Sequence, residues 1–116
     1  MRVITGIARG KILKTLDGND VRPTSQKVKE GVFSALQFDI EGRRVLDLFA
    51  GSGQLGIEAL SRGAKSATFV DSSNASIKII KQNIESTGLG DNAKVYMADY
   101  SSFTAMCRDT FDIVFL

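Results

Sequence analysis

The sequence predicts an α/β fold in which a parallel sheet of four strands is joined by helical crossovers and preceded by a β-hairpin and a helix. Three observations carry it. From Val45 onward, short apolar runs alternate with segments of helical spacing, the order expected of a parallel sheet with crossovers. Gly51, Gly53 and Gly56 fit the G-x-G-x-x-G spacing, with a buried run before them and an amphipathic run after. Finally, Asp47, Asp71 and Asp99 close three successive strands, at the carboxyl ends where such sheets bind ligands.

Each element has its own signal. Residues 2–16 alternate loosely, with Val3, Ile4, Ile7, Ile12, Leu13 and Leu16 among basic residues and a turn at Ala8-Arg-Gly-Lys11, which predicts a hairpin. Asp17-Gly-Asn-Asp20 reads as a turn or loop. Arg22-Pro23-Thr24 ends that loop, and Thr24 or Ser25 can cap a helix over 25–37 whose inward face is Val28, Val32, Ala35 and Leu36, with Lys27, Lys29 and Glu30 largely outside. The first strand runs from Val45 to Phe49 and carries Asp47 near its end. A buried carboxylate there needs a partner, either a ligand ammonium or the amides of the glycine turn itself. The next helix covers Leu55–Arg62 and stops at Gly63. A strand over 66–70, a helix over 74–87 ended by Gly88, a strand over 95–98, a short helix over 102–108 and a strand over 111–116 complete the chain.

Composition narrows the chemistry. The chain has 116 residues, enough for one domain that buries about two-thirds of its unfolded surface. The net charge of +2 is unevenly placed: residues 1–30 hold seven basic side chains against three acids. That asymmetry suggests a polyanionic partner, with Arg9, Lys11 and Lys14 on the hairpin and Arg22 after it as the contacts to a phosphate backbone. One cysteine, Cys107, and no histidine exclude an internal disulfide, histidine triads and multi-cysteine metal sites, so no metal is expected. No apolar run reaches the ~18 residues of a membrane span and no signal-peptide core precedes residue 30, so no membrane association and a cytoplasmic location are expected.

Two cofactor classes compete for the glycine turn. A dinucleotide would bring its pyrophosphate among three carboxylates. S-adenosylmethionine brings an ammonium, a ribose diol and an adenine amine, which Asp47, Asp71 and Asp99 would accept one for one. Charge therefore prefers adenosylmethionine. Gly51, Ser52, Gly53, Ser72 and Tyr100 adjoin those acids and complete the candidate cofactor set.

These residues also resemble a known family, the RsmD-like methyltransferases of bacterial 16S ribosomal RNA. The likeness runs through the Arg-Gly-Lys hairpin, Arg22-Pro-Thr24, Val45-Leu-Asp-Leu-Phe-Ala-Gly-Ser-Gly53, Leu55-Gly-Ile-Glu-Ala-Leu-Ser-Arg-Gly63 and Phe111-Asp-Ile-Val-Phe-Leu116. It implies a Rossmann-like class I methyltransferase fold, adenosylmethionine at Gly51, Gly53, Asp71 and Asp99, and a basic hairpin facing 16S rRNA or the small ribosomal subunit, with methylation of the exocyclic N2 of a guanine. The resemblance divides the chain into a basic hairpin and loop, 1–24, and the cofactor-binding part of the methyltransferase domain, 25–116. In the family, strand four is followed by Asn/Asp-Pro-Pro-Tyr/Phe, which holds the target amine and stacks on the flipped base. Pro23 is the only proline here, so the catalytic motif is absent, no catalytic residue is assigned, and the 116-residue chain is expected to be inactive with strand four as an exposed edge prone to self-association. The competing readings are a fragment of an NAD-dependent oxidoreductase and a non-catalytic RNA-binding module.

Overall fold

The computed structural model describes residues 1–16 and 23–116, the side chains of residues 23–25 excepted. The expected loop over 17–20 and Arg22 therefore lie outside the described residues, and so do the side chains of Thr24 and Ser25, the expected caps. Among the described residues four α-helices and four strands follow the hairpin, with a 3-10 turn at Gly90–Asn92 before the third strand: α1 (Pro23–Ala35), β1 (Arg44–Asp47), α2 (Gln54–Ser61), β2 (Ser66–Asp71), α3 (Asn74–Thr87), β3 (Ala93–Met97), α4 (Tyr100–Met106) and β4 (Ile113–Phe115). All four strands are parallel, in the spatial order β3-β2-β1-β4.

Strand alternation splits the core in two. Val45, Ala67, Phe69, Val95 and Phe115 point to the face covered by α1, α2 and α3, and Val3, Ala8 and Leu13 of the hairpin belong to that same core. Leu46, Val70 and Phe103 form a smaller core beneath α4. The third glycine of the turn sets how closely α2 lies on the sheet, because a Cβ at Gly56 would overlap the Phe69 ring. Gly56→Ala is expected to lower stability by about 1–3 kcal/mol, read by urea unfolding; an unchanged midpoint would show that Phe69 can move aside at no cost.

Several expectations need correction. The inward face of α1 holds Lys29, Val32 and Phe33, with Leu36 half-buried just past its end, whereas Val28 is 60% exposed and Ala35 is also outside. The helix turns this way because Phe33 packs on Phe115 with ring centroids 5.7 Å apart and Lys29 reaches a buried carboxylate on α2. Pro23 starts α1 two residues early, a position where its missing N–H costs nothing. The hairpin carries an antiparallel bridge, Arg2 to Ile12, in place of two full strands, because the N–H groups of Ile4, Thr5 and Lys14 bond instead to side chains of α2 and α3. The expected turn is present: Lys11 N–H donates to Ala8 O at 3.1 Å, with Gly10 at φ 84°. β1 ends at Asp47, two residues early, and Phe49 is 61% exposed. α4 begins at Tyr100 because the Asp99 carboxylate caps it, accepting from Ser102 N–H at 2.7 Å.

Candidate functional site

The glycine turn between β1 and α2 is held from both sides by carboxylates. Asp71 Oδ2 accepts the Gly51 N–H at 2.9 Å and its Oδ1 accepts the Ser73 N–H at 2.9 Å, so one side chain joins this turn to the one after β2. Asp47 lies beneath the turn, 3% exposed, and its Oδ2 accepts the Gly56 N–H at 3.1 Å. Burial pushes its carboxyl up to about 6, with the Gly56 N–H pulling down and the Asp71 charge pushing further up. Asp99 is fully exposed at the start of α4, and the bonds it accepts from Ser102 hold its carboxyl below the usual range. Ser52 is half-buried in the turn and Ser72 is exposed just past β2. Gly51 and Gly53 have φ of 58° and 83°, the left-handed region that favours glycine.

An unforeseen residue joins them. Phe49 and Tyr100 are both largely exposed, with ring centroids 6.1 Å apart, so two aromatic faces stand open beyond the tips of β1 and β3. A phenylalanine inside an otherwise buried strand run was the signal available in the sequence.

The basic residues are not brought together. Lys14 is clamped to α3: its N–H donates to Asn83 Oδ1 at 2.8 Å and its carbonyl accepts from Asn83 Nδ2 at 3.0 Å. Its ammonium reaches Gln82 Oε1 at 3.3 Å. The Asn83 amide also donates to Ser52 O at 2.9 Å, so Lys14 stands beside the glycine turn. Arg9 and Lys11 belong to the hairpin tip, which docks on the far end of α2: Ile7 N–H donates to Ser61 O at 2.9 Å and Ala8 N–H to Ser61 Oγ at 3.0 Å. The eight residues of α2 set the two groups about 12 Å apart along the helix axis.

Residues 1–116 match the family described as Conserved hypothetical protein 95. The chain belongs to that family. It is 38% identical over 116 residues to the Escherichia coli protein named Ribosomal RNA small subunit methyltransferase D, covering 100% of this chain and 58% of that one. Among solved structures it superposes on the E. coli protein yhhF with a TM-score of 0.86 and 37% identity, covering 98% of this chain and 62% of the other. A T. thermophilus 16S rRNA N2 methyltransferase, RsmC, solved with AdoMet and guanosine, aligns with a TM-score of 0.68 and 28% identity over 83% of this chain and 25% of that chain. The resemblance to RsmD-like methyltransferases and the Rossmann-like class I fold expected from the sequence are borne out. The chain spans 54–62% of the length of three of the curated relatives it matches.

In this member of the family the hairpin is fixed by a polar network that the sequence analysis missed. Glu58, 0% exposed, accepts four donors: Ile4 N–H at 2.8 Å, Thr5 N–H at 3.1 Å, Lys29 Nζ at 3.2 Å and Arg62 Nε at 2.8 Å. Lys29, 1% exposed, spends its other protons on Arg2 O at 2.9 Å and Gln54 Oε1 at 3.3 Å. The Glu58-x-x-x-Arg62 spacing was the visible hint. No described helix is long and apolar enough to cross a membrane, and no group of three or more potential metal-ligating side chains occurs among the described residues.

Proposed function

We propose that this chain is the cofactor-binding part of an S-adenosylmethionine-dependent methyltransferase acting on the N2 amine of a guanine in small-subunit rRNA. The observation that carries it is the set of acids at successive strand tips around an open glycine turn. A Cβ built on Gly51 meets nothing within 4 Å, so a ligand can approach the turn there, and α2 opens just after it without a side-chain cap on Gly53, which itself is buried against Ile57, Phe69 and Ile80. Each oxygen of Asp71 accepts one backbone N–H and keeps a second lone pair for a ribose hydroxyl. Asp99 is exposed, so its carboxylate can also accept from an adenine amine, and Phe49 and Tyr100 offer apolar faces to a purine. Asp47 supplies negative charge beneath the turn for an ammonium. Lys14, beside the turn, and Arg9 and Lys11, at the far end of α2, would contact RNA phosphates.

Bound adenosylmethionine supplies an electrophilic methyl on its sulfonium. The residues present here hold and orient it, and alignment of the attacking amine with that methyl is the main source of rate. A donor-rich, phosphate-free ligand suits these acids better than a dinucleotide does. Calorimetric titration is expected to show binding of S-adenosylhomocysteine and none of NADH; the reverse would overturn the reading. The Asn/Asp-Pro-Pro-Tyr/Phe motif is not among the 116 residues, so labelled adenosylmethionine and small ribosomal subunits are expected to yield no methylated guanine with this polypeptide, and turnover would refute that. Among the described residues β4 pairs with β1 alone, and its open edge, with Val114 and Leu116 exposed, is the surface through which copies of this polypeptide would associate.

A further inference from the structure

Asn83 sits on the buried face of α3 with Ile80 and Ile84 as neighbours, 0% exposed, where an unpaired amide would be costly. Its bonds show why it is tolerated. Oδ1 accepts from Lys14 N–H, and the two Nδ2 protons go to Lys14 O and Ser52 O, so its donors are used in full. The amide presents to Lys14 the donor and acceptor that a neighbouring strand would present, and its remaining proton holds the glycine turn. The orientation of the amide follows from its partners, since the reverse assignment would set Nδ2 against an N–H.

A second connection reaches the same residue from the other hairpin strand. Lys29 Nζ holds Arg2 O and Gln54 Oε1, and Gln54 Nε2 donates to Ser52 Oγ at 3.2 Å. Both strands of the hairpin are thus hydrogen-bonded, each through buried side chains, to the middle residue of the glycine turn. A surface arm that served only to cover the sheet edge would need apolar contacts alone, and Val3, Ala8 and Leu13 already provide them.

We propose that Asn83 is a positioning residue that couples the basic hairpin to the cofactor turn, with Lys29 and Gln54 as the parallel connection. Ordering of the turn by a ligand orders the Lys14 strand, and an anion drawn to Lys14 tightens the turn. The ligand half of this inference rests on the proposed cofactor; the coupling between the two segments does not. Asn83→Asp keeps the acceptor for Lys14 N–H but removes both donors, and Asn83→Ala removes everything.

Native-state hydrogen exchange on the 116-residue chain tests it in two arms. Without ligand, Asn83→Asp is expected to speed exchange about tenfold at Leu13 and Lys14 and equally at Gly51 and Gly53. Gln82→Ala, which removes the acceptor of the exposed Lys14 ammonium, is expected to change neither. Faster exchange in the hairpin with the turn unaltered would overturn the coupling. With S-adenosylhomocysteine, the wild-type chain is expected to slow at Leu13 and Lys14, and Asn83→Asp is expected to lose that effect while keeping protection in β1 and β2. Binding that leaves the hairpin amides unchanged would also overturn it. Failure of the ligand to bind at all would remove the proposed cofactor, and the ligand-free arm would still decide the coupling.

Discussion

Asp47→Asn is expected to make the chain more stable at pH 7 and a poorer cofactor binder. The carboxyl of Asp47 is raised from its ordinary 3.8 to about 6 in the folded protein. Between those values the folded chain holds a proton that the unfolded chain has released. Stability therefore falls as pH rises from about 4 to about 6 and levels off above, a penalty on the order of 3 kcal/mol at neutral pH. Asparagine keeps an oxygen for the Gly56 N–H and carries no charge, so it removes the penalty and flattens that window. Urea unfolding at pH 5 and pH 7 measures both effects. In the wild-type chain the affinity for S-adenosylhomocysteine is expected to rise over the same interval as Asp47 ionises, and the variant is expected to bind about tenfold more weakly with no such rise. Undiminished binding by the variant would show that Asp47 serves only the turn.

Glu58→Ala is expected to produce the largest loss of stability. Removing the carboxylate strands Lys29 with its ammonium buried and frees Ile4 N–H, Thr5 N–H and Arg62 at once. Breaking one partner of a buried pair costs about 3–5 kcal/mol, a large share of a small domain's total. Burial already lowers the Lys29 ammonium below its usual value while Glu58 pulls it back up, so without Glu58 it drops further. A lysine that binds its proton less tightly when folded gains stability as pH rises through its folded value, and the variant is expected to recover partly in alkali. Should the variant fail to fold, Lys29→Met with Glu58→Gln removes both charges, and most of the loss is expected to return. A drop of less than about 1 kcal/mol in Glu58→Ala would show that the network contributes little.

The two variants differ in what they expose. Asp47 is a charge kept at a cost beneath the glycine turn, with the Gly56 N–H as its bond, whereas Glu58 accepts four donors within the fold. Both are buried acids near one helix, and their bonding alone separates them. That distinction makes Asp47 the acid to test for binding and Glu58 the acid to test for folding.

Local chemistry was enough for much of the fold. α3 occupies Asn74–Thr87, as its isoleucine spacing predicts, because Ser73 at its start and Gly88 at φ 73° after its end fix the helix within a few residues. The glycine turn and the acids at the ends of β1 and β2 were legible for the same reason. What the sequence could not decide was which of two adjacent residues, Val28 or Lys29, α1 turns inward. Their helical spacing is nearly equivalent, and an ammonium goes inside only if a carboxylate from elsewhere meets it. Glu58 is 29 positions away and does so at 3.2 Å. Likewise, the sequence groups Arg9, Lys11 and Lys14 as one basic hairpin, but only the docking of that hairpin along α2 sets Lys14 beside the glycine turn and Arg9 at the opposite end. Spacing along the chain fixes helices, turns and strand tips, since their bonds span a few residues; the partners of a buried charge or amide are fixed by packing between segments that the chain leaves far apart.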